Sequence, residues 1–284
     1  MATSCGYEFQ LKHLRFESAN ENNFYEFQWS KKKSYFVLYR AFTLLYHWGW
    51  LIASWVFAEE DIAYTASNWS FFFTGIYYLC AFITALYGLI ARNDHEVENR
   101  EAPNTGRSHK TENPGGLRFF HKVTWFFQVQ AIDFVIFVTV LYWALLAPDV
   151  PAETLRMPIG QHKHSVQGIM LLIDIFVVSI PTRWIQFVYS ALFALFYAIN
   201  TVIVHFAGIN SQIYGFLDFV NSPGIVAGVL LMNVFVVPII LHTITFAFYH
   251  LKMLIYRCTL GKKQRMSDQP ATFNTGHDNV AFSS

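Results

Sequence analysis

Residues 69–91 run for 23 positions without a single Asp, Glu, Lys or Arg, and residues 225–247 do the same. A helix rises about 1.5 Å per residue and a bilayer's hydrocarbon core is about 30 Å thick, so each stretch is long enough to cross a membrane. In lipid every backbone amide must be bonded internally, which leaves helices or closed barrels. Barrel strands would show as alternating segments of about ten residues; these unbroken runs are helical. Four weaker runs join them, at 36–58, 123–146, 164–181 and 184–207. The expected fold is therefore all-α, an integral membrane bundle of six transmembrane helices. Spans 164–181 and 184–207 are separated only by Thr182 and Arg183 and form a tight hairpin.

Composition agrees. The 284-residue chain is 54% hydrophobic and 14% charged, against about 25% charged in soluble domains. A net charge of +1 gives no electrostatic footprint for nucleic acid. The three cysteines, Cys5, Cys80 and Cys258, are too far apart for a disulfide framework or a metal pattern, so neither metal nor cofactor is expected. Cys258, just past the last span, reads either as a palmitoylation site or as a plain thiol.

Orientation follows from counting Lys and Arg between spans. Eighteen of the twenty fall on alternate segments: the N-terminal region through Arg40, 92–122, the hairpin and the tail. Both termini are then cytoplasmic. The organisation reads as a cytoplasmic segment 1–35, a six-helix domain 36–257 with a solvated linker 92–122, and a disordered cytoplasmic tail 258–284. No cleavable signal peptide is visible in the polar first 33 residues. A plasma or endoplasmic reticulum membrane suits the pattern equally.

Ionisable residues at membrane depth are costly and face an interior or a cavity. Asp133 and Asp174 fall near mid-membrane and His47 midway along the first span, while His205 lies near the non-cytoplasmic end of the fifth. Thr65, Ser67 and Ser70 open the second span; His164, Ser165 and Gln167 open the fourth, on the same side. A hydroxyl becomes nucleophilic when a base within hydrogen-bond reach takes its proton, so Ser67 or Thr65 with His164 is a candidate pair. Asp174, Asp133 and His205 are candidate supporting groups. The plainer readings are that Ser67 and Asn68 cap a helix and that Asp174 accepts an interhelical bond. Asn68-Trp69-Ser70 is a glycosylation acceptor by pattern only, since it sits at the membrane boundary. Phosphate loops, GxSxG, HExxH and CxxC are absent, and Pro181 and Pro238 are not paired as in broken-helix transporters.

Four segments in order, FYEFQWSKKK (24–33), SNWSFFFTGIYYL (67–79), HSVQGIMLLIDIFVVSIPTRW (164–184) and IYGFLDFVNSPGIVAG (213–228), resemble the rolling stone family of multi-pass membrane proteins. The resemblance implies a role in cell–cell fusion or development, as in myoblasts. That family is more distantly similar to the androgen-induced and androgen-dependent hydrolases of fatty acid esters of hydroxy fatty acids. This wider likeness implies a threonine nucleophile before the second span and a histidine opening the fourth, at Ser67 (or Thr65) and His164 here. Serine stands where those relatives have threonine, Gln167 where they have asparagine, and LDF (217–219) replaces LDW. The expected partners are membrane lipids, with a lipid ester as substrate; small-solute transport is a further alternative.

Overall fold

The structure is a computed structural model. It describes residues 5–57, 64–101, 117–209 and 214–267, leaving aside the side chains of 5, 92–101 and 261–267. All regular elements among the described residues are helical, apart from one isolated antiparallel bridge between Phe27 and Val178. The long helices are α1 (Lys33–Phe57), α2 (Ala66–Glu101), α3 (Phe119–Leu141), α4 (Gln167–Val177), α5 (Phe187–Phe206), α6 (Pro223–Phe235) and α7 (Val237–Ser267). A π turn, Tyr142–Leu146, continues α3, and another, His162–Val166, precedes α4.

Among the described residues, four segments are long and apolar enough to cross a membrane: Ala66–Ala91, Phe119–Asp149, Trp184–Phe206 and Pro223–Leu260. The remaining two of the six expected, 36–58 and 164–181, are not matched as cleanly. α1 carries Lys33, Arg40 and His47, and α4 stops at Val177, where Val178 turns to extended backbone and 179–183 carry no regular structure. α2 runs to Glu101, ten residues into the segment read as a linker, since neither Gly nor Pro interrupts it before Pro103. α7 likewise runs to Ser267, into the expected tail.

The helices bury polar stripes and expose apolar ones. On α1 the buried positions Phe36, Arg40, Thr43, His47, Leu51 and Ser54 recur every three or four residues, which is one face of a 3.6-residue helix. The opposite face shows Leu38, Phe42, Leu45 and Val56, each more than half exposed. On α2 Ser70, Thr74, Tyr77, Tyr78, Ala81, Thr84 and Ala85 form the buried stripe. Such a helix could not expose its apolar face to water over so many turns without creating an aggregating patch.

The N-terminal segment packs against the end of the bundle where α1 begins. Phe16, Phe24 and Tyr25 share a buried cluster with Phe36, Trp125 and Val178. Phe16 adopts φ 54°, an uncommon conformation for a bulky residue, and its ring meets Trp125 at 5.2 Å and Tyr189 at 5.0 Å. The same segment satisfies the last two carbonyls of α4, and one just beyond it, which would otherwise be orphaned. Trp29 Nε1 donates to the Phe176 carbonyl (2.7 Å), the Gln28 amide to Val177 (2.9 Å) and Asn23 Nδ2 to Ser179 (3.0 Å). Buried Lys252 Nζ donates to the Val178 carbonyl at 2.9 Å. The start of the 178–183 stretch is thus held by distant parts of the chain. At Gly88 an added Cβ would lie 2.2 Å from the Tyr25 ring, so only glycine admits this close approach.

Candidate functional site

Among the described residues, three polar clusters inside the bundle stand out. In the first, Asp174 Oδ1 accepts from Arg40 Nη1 at 2.8 Å and Tyr39 Oη at 2.9 Å, and Asp174 Oδ2 accepts from Tyr77 Oη. Arg40 and Asp174 are 1% and 0% exposed, and the guanidinium also sits 5.0 Å over the Phe36 ring. All three donors to this carboxylate are tyrosine or arginine, and none is a histidine. The cluster ties α1, α2 and α4 together.

In the second cluster Asp133, His242 and Ser190 have the composition of a hydrolase triad, but their connectivity is different. His242 Nδ1 faces Asp133 Oδ2 at 2.7 Å while Nε2–H donates to the Arg183 carbonyl at 2.9 Å. Ser190 Oγ donates to Asp133 Oδ2 at 2.5 Å and Thr245 Oγ1 to Oδ1 at 2.7 Å. A triad needs its serine on the free histidine nitrogen; here that nitrogen is occupied and the serine bonds the aspartate. This cluster fastens α3, α5 and α7.

The third cluster lies nearer the end where α2 begins, and its polar atoms are left over. Ser70, fully buried on α2, has its Oγ 3.5 Å from Gln167 Nε2, which also donates to the Lys163 carbonyl. His47 Nε2–H donates to the Phe71 carbonyl at 2.9 Å, leaving Nδ1 without a partner. His162, 1% exposed, has neither ring nitrogen bonded; its ring stacks on Trp50 at 4.9 Å and lies 5.9 Å from that of His47. Gln167 Oε1 and Tyr78 Oη are also buried and unpartnered. Unpaired buried polar atoms are rare, and a group of them marks a place where water, an ion or a ligand belongs.

The π turn explains how His162 arrives there. The Gln167 amide bonds back to the His162 carbonyl, five residues away rather than four. The wider turn brings His162 and Gln167 onto one side, toward α1 and α2, and such bulges recur at functional sites. It also moves His164 elsewhere: its ring lies flat on Tyr142 at 3.5 Å and 2°, beside the matching π turn of α3. Trp143 Nε1 reaches the His164 carbonyl and Ser165 Oγ, both at 3.1 Å.

Among the described residues no hydrogen bond joins His164 to Thr65 or Ser67. Thr65 Oγ1 is buried with no partner, and Ser67 is half-buried within the first turn of α2. Neither Ser67 nor Asn68 is the residue before the helix; the Ala66 amide is satisfied by the Tyr214 hydroxyl at 2.9 Å. Asp174 and Asp133 serve the other two clusters, and His205 stacks on Phe219 at 4.3 Å. Sequence reading passed over His162, Arg40, His242 and Lys252. Each is an ionisable residue in or beside an apolar run, which is the signal that could have found them. No group of three or more His, Cys, Asp or Glu among the described residues could hold a metal ion.

A family model described as Protein rolling stone matches residues 1–261. Protein rolling stone of Drosophila melanogaster is 25% identical over 260 residues, which span 88% of this chain and 90% of that protein. No solved structure matches the chain.

Proposed function

The chain belongs to the rolling stone family, and from that premise we propose that it is a six-span membrane protein, both termini cytoplasmic, that hydrolyses lipid esters inside its bundle. Six spans are supported by the apolar outward faces of α1 and α4, where Leu45 is 72% and Ile169 58% exposed. The orientation is supported by the eighteen-to-two partition of Lys and Arg.

The observation that carries the catalytic reading is His162: buried, unbonded at both nitrogens, and set by a π turn on the same side as Gln167, which reaches Ser70. In this reading Ser70 Oγ attacks the ester carbonyl carbon as its proton passes to the His162 imidazole. Gln167 Nε2 donates to the developing oxyanion. The C–O bond then breaks, the alcohol leaves with the proton, and water releases the acid from serine. His47, whose ring lies 5.9 Å from that of His162 and whose Nδ1 has no partner, is the second base. The acyl chains stay in an apolar medium throughout. Such chemistry needs no large ectodomain and is compatible with the fusion role the family suggests, through altered lipids at the apposed membranes.

The test is fluorophosphonate labelling, with turnover of a branched fatty acid ester, in lipid nanodiscs. Ser70→Ala abolishes labelling and His162→Gln slows it by about 10²–10⁴-fold, while Ser67→Ala, Thr65→Ala and His164→Ala keep it. Labelling lost only in the second set moves the nucleophile to the positions the distant hydrolases suggest. Labelling unchanged in all five ends the hydrolase reading.

A further inference from the structure

Where α3, α5 and α6 meet, an apolar cavity of about 350 Å³ opens beside the start of α2. Its walls include Leu141 and Leu145 from the end of α3, Thr201 from α5, and Val229 and Leu230 from α6. Deeper in, Phe137, Tyr197, Asn233 and Val237 are shared with a second cavity of about 30 Å³ whose floor is Asp133 and Ser190. The two follow one another along α3. From Leu145 to Asp133 that helix advances about 18 Å, close to the depth of one leaflet, half of about 30 Å.

The space sits at the break between α6 and α7. Pro238 has no amide hydrogen and its ring collides with the carbonyl four residues earlier, so the helix bends there instead of continuing straight. Asn233, Val237 and Pro238 all line the deeper cavity. The void is therefore built into the backbone and not left by one small side chain.

The chemistry of the walls limits what can fill it. At the floor Asp133 already accepts from Ser190 and Thr245 and pairs with His242, so both of its oxygens are engaged within the protein. Water does not settle in apolar space without polar partners, and leaving it empty forfeits dispersion contacts along the whole wall. The lining residues come mainly from segments long and apolar enough to cross a membrane, where acyl chains are the surrounding apolar medium. The tyrosine hydroxyls on its walls are already engaged: Tyr197 Oη donates to the Tyr64 carbonyl at 2.8 Å and Tyr214 Oη accepts from the Ala66 amide.

We infer that this cavity is a binding site for one acyl chain of a membrane lipid. The lipid's polar end lies at Tyr214 and its methyl end among Phe134, Phe193 and Leu241. The site is separate from the His162–Ser70 cluster and rests on neither ester hydrolysis nor the number of spans.

The experiment places the full chain in phosphatidylcholine nanodiscs containing a trace of phosphatidylcholine with a diazirine at the end of one chain. After irradiation, adducts are mapped by mass spectrometry. Adducts at Phe193, Asn233 and Leu241 are expected, and they are lost in Val229→Trp and Leu230→Trp, which fill the cavity. Adducts on lipid-facing Leu231 and Phe196 persist in both variants and show that the bundle is intact. Deep adducts absent from the parent protein, or undiminished in folded forms of both variants, would overturn the assignment. So would deep labelling by a diazirine sterol that phosphatidylcholine cannot displace.

Discussion

Replacing Asp174 with asparagine removes the carboxylate bonded to Arg40 and leaves a guanidinium 1% exposed in the bundle interior. Asparagine keeps the shape but offers one acceptor oxygen, while Tyr39, Arg40 and Tyr77 all now donate to Asp174. Orphaning one partner of a buried ion pair costs about 3–5 kcal/mol. In a domain of 150–250 residues each kcal/mol shifts the midpoint by about 2–4 °C, so a fall on the order of 10 °C is expected in thermal unfolding followed by size-exclusion chromatography in detergent. The informative control is Arg40→Met with Asp174→Leu, which removes both charges together. Apolar replacement of a whole buried pair is often close to neutral, leaving mainly the unbonded tyrosine hydroxyls as the cost. The double variant should therefore be more stable than Asp174→Asn alone, a coupling that a double-mutant cycle reads directly. If the double variant is at least as unstable as the sum of its two single changes, the pair is not the interior clamp described here.

Gly88→Ala should loosen the N-terminal segment, because the new Cβ would overlap the Tyr25 ring at 2.2–2.7 Å. A penalty of about 1–3 kcal/mol is expected, read as faster proteolysis between residues 16 and 33, and Tyr25→Ala in the same chain should relieve the clash. Docking of that segment should also weaken in acid. Burial, reinforced by the nearby Arg183, holds His13 below the ordinary histidine range. The neutral ring is the one that fits, so its contribution is complete above the unfolded value of about 6.5 and declines as pH falls toward the folded one. Hydrogen exchange of residues 8–18 should rise over that interval, and His13→Phe should flatten the rise; an unchanged slope would clear His13 of the effect.

The helical, membrane-type character of this chain was legible in its sequence because it depends on one additive quantity, apolar residues per turn. The uncharged runs at 69–91 and 225–247 needed no partner to be read, and both fall within helices long and apolar enough to span. Asp133 and Asp174 were equally visible as charges that must find company, for lipid offers none. Their partners could not be read. Arg40, 134 residues from Asp174, and His242, 109 from Asp133, meet them only once the bundle is assembled. Spacing along the chain also misdirected the site reading. His164 opens its helix beside the expected position, but one extra residue in the π turn gives that side to His162 and lays His164 on Tyr142. The N-terminal segment looked like a polar lead-in, yet its Trp29 and Gln28 bond the last two carbonyls of α4 and its Asn23 that of Ser179 just beyond. Sequence determined which solvent this chain belongs in, since hydropathy sums locally. Tertiary structure decided which polar groups are paired and which are left over, since in an interior without water each must find a partner from another helix.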